Sequence, residues 1–357
     1  MFLKLWPHLS YFLSDFSLYL VVNFVLFCLS LFFIYKIFKS KASERKKKLL
    51  LSLVFVFFVL VLAFSVFEAY FRYVYDESDG LGYLKVNSKW HQRHVIYNAY
   101  FYRDRDFTVE KKEGVKRIGV IGDSIAFGGG IKNVNDRFSN LLEKKLKDSG
   151  YKVEVYNLGK PGYDTEGEIA EYQKVKNLDF DIIIWEYFLN DIQPQEKSTG
   201  TPIIARNSQT ANFVQFFSDK SYFFDFIFWR LSTRYQKTFE QLKTADLAQY
   251  EDQNILNHHK LIIADFLKEL NLENKKVVVI IFPLLAFLGP DYPAGEIHNQ
   301  MANFFEDNGA EVIDLLDYLK DKNGRDLWAS QFDSHPNEFV HRLAADKLFD
   351  KVKPLFR

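Results

Sequence analysis

Two stretches near the start of the chain carry no charge, Phe16 to Tyr35 and Leu49 to Phe67, and neither contains proline or glycine. Each is long enough to cross a hydrocarbon core of ~30 Å as a helix. Having no polar face, they fit poorly as buried helices of a soluble domain. A cleavable leader fits less well, because Met1–Ser10 lacks a basic cluster and no small-x-small site follows the first run. The loop between the runs carries Lys36, Lys39, Lys41, Arg45, Lys46, Lys47 and Lys48 against Glu44 alone. Such an excess marks the cytoplasmic side, so both termini and everything after Glu68 are expected outside. Tyr70, Phe71, Tyr73 and Tyr75 suit an aromatic belt at the exit. Residues 1–75 read as a membrane anchor with spans at 16–35 and 49–67.

Residues 76–114 are polar and mixed, and read as a linker and approach. Beyond them, short apolar runs alternate with helical spacing. Arg117–Ile121, Lys152–Asn157, Asp181–Tyr187, Lys276–Phe282 and Glu311–Leu315 are the expected strands. Asp136–Lys147, Thr165–Lys176 (opened by Thr165 as cap), Asp252–Leu270, Glu296–Asp307 and Glu338–Val352 are the expected helices. Alternation of this kind predicts a parallel sheet covered on both faces, a three-layer α/β/α sandwich of five strands in the flavodoxin-like manner. Residues 115–357 form that domain. Within it, 195–250 breaks the rhythm and carries Phe213, Phe216, Phe217, Tyr222, Phe223, Phe224, Phe226, Phe228 and Trp229. It reads as an inserted helical cap whose aromatics pack on the domain. Lining a substrate site and touching a membrane surface are the alternatives.

Composition narrows the picture further. With 46 basic and 46 acidic residues the net charge is zero, and no nucleic-acid partner is expected. A single cysteine, Cys28, excludes an internal disulfide framework.

The chemistry concentrates where strands end. Gly122-Asp123-Ser124 follows the first strand and leads into Gly128-Gly129-Gly130. A serine on such a turn is presented at the carboxyl edge of the sheet, where open α/β folds place their ligands. A helix-capping serine is the plainer reading, and the spacing matches neither the α/β-hydrolase elbow nor a Walker loop. After the second strand stands Asn157-Leu158-Gly159-Lys160-Pro161-Gly162, after the third Phe188-Leu189-Asn190-Asp191, and before the last helix Asp333-Ser334-His335-Pro336-Asn337. The first three all follow strand ends, so a parallel sheet converges them on one edge.

GDS, NxGxxG, a strand ending in ND, and DxHPN together resemble the SGNH/GDSL hydrolases, over roughly Arg117 to Phe356. Asn98 to Phe107 resembles the stretch preceding GDS in membrane-anchored bacterial members. The resemblance implies Ser124 as nucleophile, His335 as its base and Asp333 as the group orienting the ring. It implies an oxyanion hole made by the backbone N–H of Ser124, that of Gly162 and the side-chain amide of Asn190. Asp123 and Asp191 are expected to brace their turns. Two departures stand out: Phe188 occupies a place where the family commonly has glycine, and the acid lies two residues before the histidine instead of three.

Three functions follow as expectations. One is hydrolysis of an acyl ester, such as O-acetyl, on a cell-envelope glycan or lipid. Another is O-acyl transfer onto a polysaccharide, with a partner membrane protein donating the acyl group. The third is a silent envelope-binding module. No cofactor and no metal are expected. His91 and His94 have helical ligand spacing without a third ligand, and His258, His259 and His298 carry no pattern. His341 is expected to pack or hydrogen-bond within the last helix.

Overall fold

The computed structural model describes residues 2–80, 82, 84–192, 212–231 and 244–356. In chain order the principal helices are α1 (Phe2–Lys39), α2 (Glu44–Ala69), α3 (Lys85–His94), α4 (Ser124–Phe127), α5 (Phe138–Asp148), α6 (Thr165–Val175), α7 (Asn212–Lys220), α8 (Tyr222–Leu231), α9 (Gln253–Leu272), α10 (Gly295–Asp307) and α11 (Glu338–Val352), with a single turn at Leu316–Leu319. The strands are β1 (Lys116–Ile121), β2 (Val153–Asn157), β3 (Ile182–Phe188), β4 (Lys276–Phe282), β5 (Glu311–Asp314) and a small pair, β6 (Trp328–Ser330) and β7 (Asp333–Pro336). β1 to β5 lie within one residue of the five runs expected from the sequence, while β6 and β7 have no counterpart among them. The chain divides into two compact units, one of residues 1–76, 84–93 and 209–231, the other of 77–83, 94–208 and 232–357.

In the second unit β1 to β5 form one parallel sheet in the order β2-β1-β3-β4-β5. Both faces of the inner strands are covered, which is why β1, β3 and β4 read as nearly unbroken apolar runs while the edge strands β2 and β5 do not. One face buries Ile118, Val120, Ile184 and Ile280 against Leu142 of α5 and Ala344 and Leu348 of α11. The other buries Trp185 and Tyr187 against Phe266 of α9 and Phe305 of α10. The chain steps from β1 outward to β2, then returns to β3 on the other side of β1. That reversal opens a crevice at the carboxyl ends of β1 and β3, the place where open α/β sheets bind ligands. Helix α6 is capped by Asp164, whose carboxylate accepts from the Gly167 N–H (2.9 Å), and not by Thr165, which is already helical.

The first unit contains two helices long and apolar enough to cross a membrane, over Val21–Lys39 and Glu44–Val74. The stretch expected to be a linker contains α3, and the described residues of the aromatic insertion divide between the two units. Its helices α7 and α8 belong to this first unit, while its residues 244–250 are helical and belong to the second, where the Tyr250 and Tyr187 hydroxyls hydrogen-bond at 2.7 Å; residues 195–211 and 232–243 lie outside the described residues. Phe223 stacks on Phe67 at 5.0 Å, and Phe226 on Phe71 at 4.2 Å. Glu68, fully buried at the end of α2, accepts hydrogen bonds from Ser221 Oγ (2.7 Å), Tyr222 N (3.1 Å) and Phe223 N (2.9 Å). Those amides open α8, and the first N–H groups of a helix have no partner of their own. A carboxylate there satisfies them and meets the positive end of the helix dipole. Arg72 pairs with the same carboxylate at 2.7 Å.

Removing this carboxylate takes their partner from the Tyr222 and Phe223 amides, a loss of about 1–3 kcal/mol for each group left unpaired. Glu68→Ala is therefore expected to speed hydrogen exchange at Tyr222 and Phe223 at least ~5-fold, with β1–β4 unchanged. Unaltered protection of α8 would contradict the capping role.

Candidate active site

β1 ends at Ile121 and the chain must turn at once into α4. Gly122 makes that turn at φ 154°, where a Cβ would stand 2.5 Å from Glu186 Oε2 and 2.8 Å from the Ala126 Cβ. Only glycine fits. Asp123 follows and closes the turn, its Oδ1 accepting from Ile125 N at 2.8 Å. Ser124 is thereby placed at the carboxyl edge with its hydroxyl facing outward from the sheet.

Asp333 and His335 stand on β7, which pairs antiparallel with β6. Alternate residues of a strand point to the same side. An acid two places before the histidine is thus a natural geometry for a strand, and it resolves the departure noted in the sequence. The His335 Nδ1–H donates to Asp333 Oδ1 (2.6 Å), and the same oxygen accepts the His335 backbone N–H (3.0 Å). With Nδ1 so engaged, Nε2 is left to accept the Ser124 hydroxyl at 2.8 Å. The structure thus joins Ser124, His335 and Asp333 in one hydrogen-bonded chain. Behind Asp333 lies Gly130, at φ 77°, where a Cβ would come 2.8 Å from Asp333 Oδ2 and 2.3 Å from the Ala329 Cβ.

The electrostatics match this chain. Burial pushes Asp333 up, but the His335 charge and hydrogen bond outweigh it, and the carboxyl sits below its ordinary value. Burial alone would push His335 down, yet Asp333, with Asp123 and Asp79, holds the imidazole above its ordinary value.

The other expected residues come to the same edge. Asn190, just past β3, donates from Nδ2 to Asp123 Oδ2 (3.4 Å), an oxygen that also lies 3.2 Å from Ser124 Oγ. Phe188 ends β3 in regular register opposite Phe282 and packs on both core clusters. Asp191 braces the turn beyond it, accepting the Phe188 N–H at 2.7 Å. Gly162 lies in the loop after β2 with φ 77°. That loop is fastened to the serine turn by Lys160 N donating to Gly122 O (3.1 Å).

Several residues that sequence reasoning left without a role support the turn. Asn157 donates from Nδ2 to Ala126 O (2.7 Å) and Ser139 Oγ (2.8 Å), and accepts from Gly159 N (2.9 Å). The asparagine of NxGxxG is therefore a brace under the serine turn. Arg103, 1 % exposed, donates to Gly128 O (2.7 Å) and Ile131 O (2.6 Å), holding the glycine loop. Arg137 donates to Phe127 O (3.2 Å). Asn337 caps α11, accepting from Phe339 N and Val340 N. His341 accepts the Phe138 N–H and is driven to about 3 by burial, so it is a neutral packing residue. His259 bonds Tyr187 and is likewise lowered to about 3 by burial. His298 bonds Asp314 at 2.9 Å, beside β5.

The model of the GDSL-like Lipase/Acylhydrolase family matches residues 120–343. No curated protein matches the chain. Among solved structures it is similar to TesA, at 16% identity and a TM-score of 0.43 over 67% of this chain and 99% of that one. It is also similar to the lipase/acylhydrolase from Enterococcus faecalis, at 17% identity and a TM-score of 0.42 over 67% and 96% of the two chains. A mutant acetyl-xylooligosaccharide esterase from Geobacillus Stearmophilus matches at 13% identity and a TM-score of 0.42, over 66% and 94%. The family's model covers more than half of the sequence and takes in the strand ends, the serine turn and His335; this chain belongs to the GDSL-like lipase/acylhydrolase family and is an ester hydrolase of the SGNH type.

Proposed function

We propose that this protein is a serine esterase working at the outer face of a membrane on acyl esters, O-acetyl in particular, of a cell-envelope glycan or lipid. The observation that carries the reading is the unbroken chain from Ser124 Oγ through His335 to Asp333. His335 Nε2 takes the hydroxyl proton as Ser124 Oγ attacks the ester carbonyl carbon. The oxyanion is held by the N–H of Ser124, the N–H of Gly162 and Asn190 Nδ2. The tetrahedral intermediate collapses, the C–O bond to the alcohol breaks, and His335 gives its proton to the departing alkoxide. Water then attacks the acyl-serine with His335 again as base, returning the free serine and a carboxylic acid. Asp333 stabilises the imidazolium formed in each half.

Three observations favour a membrane-proximal substrate. Two helices have the length and apolarity of spans. Their loop carries the basic excess that sits on the cytoplasmic side, leaving the rest outside. Within the first unit, Phe216 and Leu231 of the α7–α8 hairpin stay exposed, at 59 % and 78 %, as suits helices lying in an interface.

The full chain in detergent is expected to hydrolyse p-nitrophenyl acetate. Ser124→Ala and His335→Ala each lower kcat/KM at least ~10³-fold. Activity of S124A equal to wild type overturns the nucleophile.

His335 acts as a base only when neutral, so the rate falls as pH drops through its titration. The raised imidazole puts that acid limb above the ordinary ~6.5. Asp333→Asn removes the charge responsible, so the limb moves downward while kcat falls ~10²–10⁴-fold. A pH–rate profile of D333N with an unmoved limb would contradict the role given to Asp333.

A further inference from the structure

β3 carries one acidic side chain, Glu186, in an otherwise apolar and aromatic strand. It is fully buried, and its register partner on β4 is Ile280. Its Oε2 accepts two backbone hydrogen bonds, from Asp123 N and from Ala126 N, each 3.1 Å. These amides stand on either side of Ser124. One oxygen therefore clamps both ends of the turn that presents the nucleophile.

What surrounds Glu186 is acidic on every side. Asp123 faces it from the turn after β1, Asp191 from the turn after β3, and Glu168 from α6, with Asp164 at the cap of α6 beyond. Asp123, Glu168, Glu186 and Asp191 are each at most 1 % exposed. Trp185 Nε1 bonds Glu168 (2.7 Å) and Phe188 N bonds Asp191, but no N–H or hydroxyl reaches Glu168 Oε1, Glu186 Oε1 or Asp191 Oδ1; the Glu186 carboxyl instead meets that of Asp123 within hydrogen-bond reach. Four buried carboxylates this close cannot all be ionised. Orphan carboxyl oxygens in such a cluster are where the missing protons sit.

We propose that Glu186 is a positioning residue that works as a neutral carboxylic acid, Oε2 holding the two amides beside Ser124 while its proton is shared with the Asp123 carboxylate. The assignment rests on Ser124 being the nucleophile. It explains how Asp123 stays charged where it meets Ser124 Oγ and Asn190 Nδ2. Burial first, then Asp123 and Asp191, hold the Glu186 carboxyl well above the ordinary range, in keeping with a retained proton.

Glutamine copies a neutral carboxylic acid: its carbonyl accepts both amides and its NH₂ donates to Asp123. Leucine of similar size does neither. In the full chain, Glu186→Leu is expected to lose ~10²-fold in kcat with KM changed far less, since the serine is displaced and substrate contacts are not. Glu186→Gln restores kcat to within ~3-fold of wild type, and its acid limb stays within about 0.3 pH units, because no charge beside His335 has been removed. An acid limb lowered by half a unit or more in E186Q shows that wild-type Glu186 is ionised and overturns the proposal. So does an E186Q as inactive as E186L, or a folded E186L with wild-type kcat. If E186L does not fold, the E186Q profile alone decides. Ser124→Ala in the same series separates the two readings. An inactive S124A beside a failing E186Q overturns only the Glu186 assignment, whereas an active S124A overturns the nucleophile and this assignment with it.

Discussion

A nucleophilic serine must be exposed, and the turn that carries it must nevertheless be rigid. Of the five residues from Gly122 to Ala126, Ile125 and Ala126 pack into the core on one face of the sheet, and the backbone between them and β1 is held by hydrogen bonds. The hold comes from beneath and behind, through buried polar groups. Glu186 binds the amides of Asp123 and Ala126, Asn157 binds the Ala126 carbonyl, and Arg103 and Arg137 bind carbonyls of the glycine loop. Removing one partner of such a bond leaves the other buried and unpaired, at about 1–3 kcal/mol each. The frame is consequently intolerant of change, and the precision of the site follows from it. β7 then needs only to deliver His335 and Asp333 from the same side of one short strand.

Much of this was legible in the sequence, and the reasons differ by element. The three inner strands, β1, β3 and β4, are buried on both faces, so each reads as an apolar run, and Arg117–Ile121 or Lys276–Phe282 fall almost on the observed bounds. Parallel strands place their C-terminal ends on one edge, so the order of strands and motifs in the sequence is enough to bring Ser124, Asn190 and the loop of Gly162 together. β6 and β7 escaped notice because strands of three and four residues leave no periodicity to read. Yet it is β7 that makes the two-residue spacing of Asp333 and His335 work.

The supporting residues were harder. Arg103 looks like an ordinary polar residue in a loop and Asn157 like the polar end of a strand, and nothing local marks either as buried. Glu186 did leave a signal: an acid in the middle of DIIIWEY is costly in a two-sided parallel strand and points to a specific partner. The aromatic insertion misled for a related reason. Apolar content says that Phe223 and Phe226 are covered, but not by what, and α8 is fastened to α2 through Glu68, a residue 153 positions before Ser221. A contact of that sequence separation has no signature in either segment.

Ser124 as an activated nucleophile is the claim from which the other functional statements descend, and a fluorophosphonate probe tests it without any assumption about the substrate. Such a probe phosphonylates a serine only where a base and oxyanion donors activate it. Full-length protein in detergent, treated with the probe and digested, should carry the added mass on the peptide containing Ser124, and His335→Ala should suppress the modification. Labelling absent from wild type, or found on a serine other than Ser124, would contradict the account.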